Sequence, residues 1–533
     1  MTSQSAVLVG GGHNGLVCAT YLARAGYKVQ ILEARETVGG AASTISFAPG
    51  YQVSGLAHIL HSLSPKVCRD LNLPGAGPGP WLAIDTISLD RQGHHLTLGE
   101  NSVSGQGLSD KDLKAYPAFK QEFLSYAEAL EPLMMNKPPR LKDMDLKDKL
   151  TLARLGWKLR FGLGAGSMRE FLRVGGINIF DVLNEIFDDE RLKGAIATDA
   201  IIGHHMGPRT PTTVLTYLLR LRGEIGGAAA LPLGGMGQIA RMLSESAQKA
   251  GVVIRTSARV KRILVDDGRA SGVELETGEL VNADLVISNA DAKNTFLNLV
   301  GTQELDAMFA RRIHTTRTNG NVAKIHLALN GLPSIEGLST EQLSQRLIVA
   351  PSMRYLEHAF NHAKYGEYSE HPVLEITIPS ITDPELAPSG HHVMSICASF
   401  APYHLKNGWQ QDDLQTGLQP DLQNRLQEKE RFLDKVTALI SDYAPGFASR
   451  VVASQILTPV DIEAEYNITG GHWHHGEMTI DQSFMMRPVH GTAQYDTPID
   501  GLFLCGAAAH PGGGVTGIPG HNAAQRILAM GAR

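Results

Sequence analysis

The fold is decided by residues 6–33, which read AVLVGGGHNGLVCATYLARAGYKVQILE. The four apolar residues 6–9 predict a short buried strand of a parallel sheet. A glycine-rich turn follows at once, and residues 16–25 then show a helical pattern that a glycine ends. Residues 28–32 predict a second strand, and an acid follows it. Strand, turn, helix, strand and acid within about 30 residues are the order of a dinucleotide-binding βαβ unit.

Each residue of this fingerprint has a physical role in such a unit. Gly10 allows the tight turn, Gly12 lets the backbone approach a pyrophosphate, and Gly15 lets the helix pack closely on the strand. The helix N-terminus offers free N–H groups to the phosphates. Glu33 stands 21 residues after Gly12 and can accept hydrogen bonds from ribose hydroxyls. Because NAD and FAD both bind to this unit, the fingerprint alone leaves the two cofactors open.

Two further glycine clusters favour FAD. Gly39 and Gly40 follow the acid closely and would let the chain cross an extended dinucleotide. A later cluster contains Gly512-x-Gly514-x-x-Gly517 behind an apolar strand at 502–505, and only 16 residues follow it. Since that is too short for another βαβ unit, this segment is expected to complete a site begun elsewhere. We therefore expect one large cofactor, held by both ends of the chain, and no separate nicotinamide domain.

The middle of the chain supplies a third segment of the same domain. A helical pattern ends at Lys249. Strand-like runs follow it, at 252–255, 259–265, 272–276 and 284–288. The sequence predicts a helix, a small antiparallel meander and a return to an apolar strand.

Composition sets the class of protein and excludes several functions. A chain of 533 residues exceeds the size of one hydrophobic core, so at least two domains are expected. The net charge of −6 argues against a nucleic-acid partner. Four scattered cysteines without a CxxC pair suit a reducing compartment and exclude a dithiol redox centre. We expect a cytoplasmic protein, because the sequence shows neither a signal peptide nor a membrane-spanning run.

One segment qualifies this expectation. Residues 147–173 carry seven basic and two acidic side chains, and leucines recur there at helical spacing. A basic amphipathic helix is typical of a peripheral membrane contact. The same pattern is typical of a surface helix that packs its leucines on its own domain, and both interpretations stay open.

The motifs carry a family resemblance over almost the full length. It rests on the segments 10–33, 39–42, 232–237 and 470–488, and most of all on the block 506–517 with His510-Pro511-Gly512. These residues resemble the phytoene-desaturase-like FAD-dependent oxidoreductases, and among them the subgroup of pyridine nucleotide-disulphide oxidoreductase domain-containing proteins. The resemblance implies an α/β fold, with a Rossmann-type FAD-binding domain of the glutathione-reductase/amine-oxidase type and a second α+β substrate domain.

The resemblance also implies which segments and residues hold a non-covalent FAD. The FAD-binding domain is expected from 1–75, 230–300 and 456–533, and the substrate domain from 76–229 and 301–455. The expected cofactor-binding residues are Gly10, Gly12, Gly15, Glu33, Ala34, Arg35, Gly39, Gly40, Ala41, Ala42, Val260, Asn289, Ala290, Gly506, Ala507, Gly514, Val515 and Thr516.

Histidines are the candidates for catalysis. A flavin carries hydride chemistry itself, but removing two hydrogens from a C–C bond also releases a proton, which an imidazole can take. Residues 470–477 read GGHWHHGE and place His472 and His474 on one face if the chain is extended. His58 is expected either to face the flavin or to lie on a helix surface. A polar structural loop and a zinc site are the other interpretations of this motif, and we expect no metal.

These features together predict a dehydrogenase. The expected reaction is desaturation of a CH–CH bond in a hydrophobic substrate, an isoprenoid or a long acyl chain, with hydride transfer to flavin N5. Oxygen or a quinone is the expected electron acceptor. The alternatives are a flavin-dependent isomerase or saturase acting on a similar substrate, and an FAD-stabilised binding protein without turnover.

Overall fold

The structure, a computed structural model, describes residues 4–61, 63–73, 81–140, 142–221, 229–409 and 422–531. Its strands are β1 (Ser5–Val9), β2 (Lys28–Leu32), β3 (Thr44–Ala48), β4 (Tyr51–Ser54), β5 (Trp81–Ala83), β6 (Thr86–Ser88), β7 (Leu96–Leu98), β8 (Val103–Gly105), β9 (Ala230–Pro232), β10 (Val253–Arg255), β11 (Val260–Asp266), β12 (Arg269–Leu275), β13 (Leu280–Asn282), β14 (Leu285–Ser288), β15 (Val322–Leu329), β16 (Arg346–Val349), β17 (Val373–Thr377), β18 (His392–Ser399), β19 (Val451–Leu457) and β20 (Leu502–Leu504). Its α-helices are α1 (His13–Arg24), α2 (Pro65–Leu71), α3 (Asp110–Ala129), α4 (Glu131–Met134), α5 (Leu146–Trp157), α6 (Gly164–Val174), α7 (Ile179–Ile186), α8 (Glu190–Ile201), α9 (Thr213–Leu221), α10 (Gly237–Lys249), α11 (Ala307–His314), α12 (Thr340–Leu343), α13 (Met353–Lys364), α14 (Leu422–Ser441), α15 (Pro459–Tyr466) and α16 (Ile518–Gly531).

The first layer is a five-stranded parallel sheet in the order β10-β2-β1-β14-β20. Its strands are short and apolar, and β1 at its centre is buried over residues 6–9. The helix α1 follows β1 directly and packs against α10 and α16. The predicted α/β class with a Rossmann-type unit is confirmed.

Sequence patterns located these elements closely, with one difference at the start of α1. The helix begins at His13, three residues before the predicted start. Apolar periodicity begins only at Leu16, so the first turn, which contains Asn14 and Gly15, carries no hydrophobic signal. In the middle segment, β11, β12 and β13 form the predicted antiparallel meander, and β14 returns to the parallel sheet.

The second layer is an eight-stranded mixed sheet in the order β19-β15-β18-β17-β16-β6-β7-β8. Successive side chains of a strand point to opposite faces. On β15 the odd positions, Ala323 to Leu329, pack into an apolar core with β17, β18 and the helix α14. Lys324 and His326 therefore point to the opposite face, and this polar face positions the functional site.

The two sheets draw on separate stretches of the chain. Strands of the parallel sheet fall within 1–75, 230–300 and 456–533, and those of the eight-stranded sheet within 76–229 and 301–455, apart from β19, which runs across the boundary at 455. The pairing of β5 with β9 crosses the predicted division as well. The boundary between residues 75 and 76 lies outside the described residues, and the division into domains stays a prediction.

None of the helices in the described ranges combines the length and apolarity that crossing a bilayer requires. The cytoplasmic location stays a prediction.

Candidate functional site

A cavity of about 1710 Å³, counting its open mouth, lies where the two sheets meet. Val9, Leu32 and Asn289 line it at the carboxyl ends of parallel strands, and Glu375 and Cys397 line it from the polar face of the eight-stranded sheet. The carboxyl edge of an open parallel sheet is where such folds bind ligands.

One end of the cavity fits a pyrophosphate. Gly12, His13 and Asn14 line it at the first turn of α1, and no side chain caps this helix N-terminus. Uncapped N–H groups and the positive end of the helix dipole favour an anion there. Gly10 adopts a φ of +94°, and a Cβ on Gly12 would lie 2.6 Å from Asn289 Nδ2. A side chain at either position would distort this first turn.

The neighbouring part of the cavity fits an adenosine ribose. Glu33 Oε2 accepts a 2.7 Å hydrogen bond from the Gly11 N–H, and Oε1 accepts a 2.8 Å bond from the Arg35 N–H. Each carboxylate oxygen keeps a second lone pair, which a ribose hydroxyl can use. The Arg35 guanidinium lies 4.7 Å from the centre of the Tyr466 ring, and both residues line the cavity beside Val260.

The glycine pair after Glu33 crosses the fingerprint at close range. The Gly39 N–H donates a 2.9 Å hydrogen bond to the Gly11 carbonyl. Gly39 and Gly40 have φ values of +122° and +56°, and a Cβ on Gly40 would lie 3.4 Å from Gly12 Cα. The crossing therefore depends on residues without a side chain, and it brings Ala41 to the cavity wall.

The C-terminal block forms another part of the cavity wall. Ala507, Gly514 and Val515 line the cavity. A Cβ on Gly506 would lie 2.4 Å from the Asn289 carbonyl oxygen, so the end of β20 packs directly against the end of β14. His13 Nε2 lies 3.2 Å from the Gly514 carbonyl oxygen and joins the two ends of the chain.

His474 lines the cavity, and its ring stacks on that of His204 with 4.9 Å between the centroids. Burial, together with the neighbouring His204 and His472, holds the pKa of His474 well below its usual value. The imidazole is therefore neutral at neutral pH, and no described group bonds to its Nδ1. A neutral imidazole with a free nitrogen can accept a proton.

His472 lies behind His474 and does not line the cavity. Its ring is fully buried, with Nε2 at 3.7 Å from Glu477 Oε1. His204 Nδ1 lies 3.4 Å from the other oxygen of Glu477. These three residues offer metal-ligand atoms within 4.8 Å of one another, as do His58, Glu375 and Cys397. In the first cluster the same atoms face one another in the contacts with Glu477 just described, and the absence of a metal stays a prediction.

His58 is buried in the cavity floor and not on a helix surface. Its Nε2 lies 2.9 Å from Glu375 Oε1, and its Nδ1 lies 3.3 Å from Ser395 Oγ. Burial and the nearby Lys324 lower its pKa to about 4. Because both ring nitrogens have partners, His58 is better placed to hold the floor than to take a proton.

This geometry agrees with comparisons to known proteins. The model of the flavin containing amine oxidoreductase family matches residues 15–528.

The chain belongs to the flavin-containing amine oxidoreductase family.

Individual relatives and a solved structure are similar to nearly the whole chain. The pyridine nucleotide-disulfide oxidoreductase domain-containing protein 2 of Mus musculus is 35% identical, over 98% of this chain and 93% of its own length. A lycopene-forming phytoene desaturase of Pseudescherichia vulneris is 26% identical over 96% of each chain. The structure of an oxidoreductase from Methanosarcina mazei matches 98% of this chain and 100% of its own with a TM-score of 0.58, at 18% identity. The predicted resemblance is confirmed.

As a member of this family the chain is an FAD-dependent oxidoreductase, as predicted, and its cofactor is FAD. The described residues fit that group: an uncapped helix N-terminus for the pyrophosphate, spare acceptor capacity on Glu33 for the ribose, and glycines where a Cβ would fill the cradle.

The structure brings most of the predicted cofactor residues to one cavity. Those that line it are Gly10, Gly12, Glu33, Ala34, Arg35, Gly40, Ala41, Val260, Asn289, Ala290, Ala507, Gly514 and Val515. Those that do not line it are Gly15, Gly39, Ala42, Gly506 and Thr516. Gly15, Gly39 and Gly506 lie directly behind the lining, in contact with Gly10, Gly11 and Asn289. The individual roles of all these residues stay predictions.

The charged residues of the cavity floor were not predicted from the sequence. Lys324, Glu375 and Cys397 stand side by side on three neighbouring strands, because Cys397 pairs in register with both of the others. Arg346 and Arg220 surround them. The available signal was the strand Val322–Leu329, which reads VAKIHLAL and places Lys and His on one face of an otherwise apolar strand.

Proposed function

We propose that this enzyme dehydrogenates a CH–CH bond of a substrate with a long hydrophobic part, and that His474 takes the proton. The main observation behind this proposal is that Glu375, the carboxylate that lines the cavity floor, is already paired. His58, Arg346 and Arg220 lie within 2.6–3.2 Å of its oxygens. An ammonium group would find this carboxylate already occupied, so the site favours a carbon–carbon bond over an amine.

Apolar side chains support a hydrophobic substrate. Leu56, Ile59, Ile202 and Trp473 line the same cavity. Among relatives, a phytoene desaturase aligns over 96% of the chain, and a desaturase of that kind acts on a CH–CH bond.

The reaction divides between cofactor and chain. When bound, FAD supplies the hydride acceptor. One substrate carbon loses a hydrogen with its electron pair, the adjacent carbon loses a proton, and a C=C bond forms. The chain has to bind the substrate, exclude water and receive the proton. Oxygen or a quinone would then accept the two electrons.

His474 is held for this task by its surroundings. A Cβ on Gly513 would lie 2.2 Å from His474 Nδ1, and one on Gly203 would lie 3.0 Å from Nε2. The buried guanidinium of Arg487 donates a 2.5 Å hydrogen bond to the His474 carbonyl. The ring is therefore closely packed between two glycines, and it lines the cavity.

The test compares two neighbouring histidines. In His474→Ala, anaerobic bleaching of the flavin by a panel of long-chain acyl and isoprenoid compounds should slow by about 100-fold. In the matched His472→Ala variant, which alters a ring behind the cavity, the rate should fall far less. FAD content is measured in both. Equal rates in His474→Ala and wild type would refute the assignment of the base.

Two outcomes would favour the alternatives. Bleaching by NADPH alone would refute the absence of a nicotinamide site and favour a saturase or isomerase that uses reduced flavin. A protein that holds FAD but is bleached by none of the compounds would favour a binding protein without turnover.

We also propose that the segment from Met144 to Leu172 contacts a membrane surface. Part of it packs on its own domain, since Leu155 and Leu163 contact the helical core. Six of its large apolar side chains are exposed: Met144, Leu146, Leu150, Trp157, Phe161 and Leu172. Basic residues outnumber acidic ones by seven to two over 147–173, so an anionic lipid surface complements it.

Sedimentation with vesicles tests this contact. Vesicles of phosphatidylcholine and phosphatidylglycerol should bind the wild type, and the double variant Trp157→Ser/Phe161→Ser should lose most of that binding. These rings are 66% and 62% exposed, so their loss leaves the core unchanged. Tyr365→Ser is the matched control, because Tyr365 is 77% exposed and lies elsewhere. Unchanged binding of the double variant would refute the proposal.

A further inference from the structure

The charged floor of the cavity pairs two arginines with two carboxylates and also contains a buried lysine. Among the described residues it contains Arg220, Arg346 and Lys324 against Asp199 and Glu375. Lys324 Nζ is fully buried, and its hydrogen-bond partner is the Cys397 thiol at 3.6 Å. Burial lowers the pKa of Lys324, so the charges of the floor are the two arginines and the two carboxylates, and a further anion depends on donors that these pairs leave unused.

Arg346 and Arg220 differ in how many of their guanidinium nitrogens already donate a hydrogen bond. Arg346 directs Nε to Glu375 at 2.6 Å and both of its terminal nitrogens to Asp199 at 2.6 and 3.2 Å. Arg220 places Nε 3.3 Å from Asp199 and Nη2 3.2 Å from Glu375. No hydrogen bond within the described part of the chain uses Arg220 Nη1, and Arg220 lines the cavity. It therefore keeps donor capacity toward a ligand.

His61 supplies a second unused polar atom at the same place. It lines the cavity, and its Nε2 is buried without a hydrogen-bond partner among the described residues. Arg220 lines the same cavity, and after burial its charge is the largest influence that lowers the pKa of His61. A buried nitrogen without a partner is destabilising unless a ligand satisfies it.

From these observations we infer that the substrate carries a carboxylate, which binds Arg220 and His61 while its apolar part extends along the apolar lining of the same cavity. This inference rests on the proposed dehydrogenation of a hydrophobic substrate. It favours a long-chain acid over an isoprenoid hydrocarbon. A carboxylate has two oxygens and can accept from the guanidinium and the imidazole together, whereas an ester has no charge and an amine has the wrong one.

Binding to the oxidised holoenzyme tests the inference without requiring turnover. Dodecanoic acid, its methyl ester and dodecylamine are titrated, and the perturbation of the flavin absorbance gives each Kd. The acid should bind about 10- to 100-fold more tightly than the ester. Equal affinities for the acid and the ester, or tighter binding of the amine, would overturn the inference.

Variants of Arg220 test whether this residue binds the carboxylate. In Arg220→Gln the preference for the acid over the ester should fall to a few-fold, and Arg220→Lys should retain part of it because the charge is kept. Arg91→Gln is the control, since Arg91 forms an exposed ion pair with Asp442 on the surface. FAD content and Tm establish that each variant folds. An unchanged acid preference in Arg220→Gln would remove Arg220 from the site.

Different results would refute the proposed dehydrogenation and the proposed carboxylate site. If dodecanoic acid binds with the expected preference and no long-chain acid bleaches the flavin, the carboxylate site stands and the dehydrogenase proposal is refuted. If the ester bleaches the flavin as fast as the acid, the dehydrogenase proposal stands and the carboxylate site is refuted.

Discussion

Glu375 Oε1 lies 2.9 Å from Nε2 of His58, although 317 positions separate the two residues in the chain. The contact joins the segment just after the glycine crossing to the middle of the eight-stranded sheet. Through Glu375, His58 also belongs to the ion pairs of Arg346 and Arg220. The segment after the glycine crossing and the charged floor of the cavity are therefore connected by a buried polar network.

Removing the central arginine of this network should be strongly destabilising. Arg346→Leu leaves Asp199 and Glu375 without their main counter-charge in a buried site, at a cost of about 3–5 kcal/mol. The control Arg91→Leu breaks an exposed pair and should cost less than about 1 kcal/mol. Urea unfolding of the two variants measures the difference. Similar costs would show that the network is not important for stability.

Stability should rise with pH through the weakly acidic range. Burial lowers the pKa of His58 and His13 to about 4, below the ordinary 6.5. Between these values the unfolded chain binds protons that the folded chain does not, so stability is fully present above 6.5 and is lost as the pH falls toward 4. At about 1.4 kcal/mol per pKa unit, each histidine contributes about 3 kcal/mol to this change in the free energy of unfolding. In His13→Gln the change of Tm between pH 6.5 and pH 4 should be smaller than in wild type. The same dependence of Tm on pH in both proteins would contradict the lowered pKa of His13.

The close packing of α1 on the first strand should depend on Gly15. A Cβ there would lie 2.6 Å from the Gly10 carbonyl oxygen, which is backbone and cannot rotate away. Gly15→Ala should therefore destabilise the protein by about 1–3 kcal/mol and lower its FAD content. Gly156→Ala is the matched control, because Gly156 also lies in a helix but has no atom within 4 Å of its Cβ position. It should be neutral or stabilising. Flavin absorbance per protein and Tm are the measurements.

Glu33 should contribute to cofactor affinity through its charge. Glu33→Gln exchanges one acceptor oxygen for an amide that cannot accept from both the Gly11 N–H and a ribose hydroxyl. The Kd for FAD, measured by reconstituting the apoprotein, should rise by about 10- to 100-fold. Glu36→Gln changes an exposed neighbour and should leave the Kd unchanged. A similar Kd in both variants would contradict the ribose assignment.

The cofactor half of the molecule could be predicted from sequence because its constraints are local. The turn at Gly10, the crossing at Gly39 and Gly40, and the strands beside them each depend on a few consecutive residues. The predicted second strand at 28–32 has the observed bounds of β2. The start of α1 was the exception, since its first turn carries no apolar pattern.

The substrate half could not be predicted in the same way. Lys324, Glu375 and Cys397 become neighbours only through the register of three strands, and that register is set by the apolar core on the opposite face. The different positions of His472 and His474 relative to the cavity could not be predicted for a similar reason. Alternation alone would place both on one face, but the His475 N–H donates a 2.7 Å hydrogen bond to the His472 carbonyl, so residues 472–475 form a turn, and of these two histidines only His474 lines the cavity.

The order of strands in the parallel sheet also has a consequence for synthesis. The first two strands are complete at Leu32, but the edge beside β14 is covered only when β20 is made, at residues 502–504. During translation most of the chain leaves the ribosome while that edge is still open. Pairing between such distant segments is intrinsically slow, and an open apolar edge is prone to aggregation. The parallel sheet, and the part of the cavity wall that Ala507, Gly514 and Val515 form, is therefore incomplete until this late segment has been made.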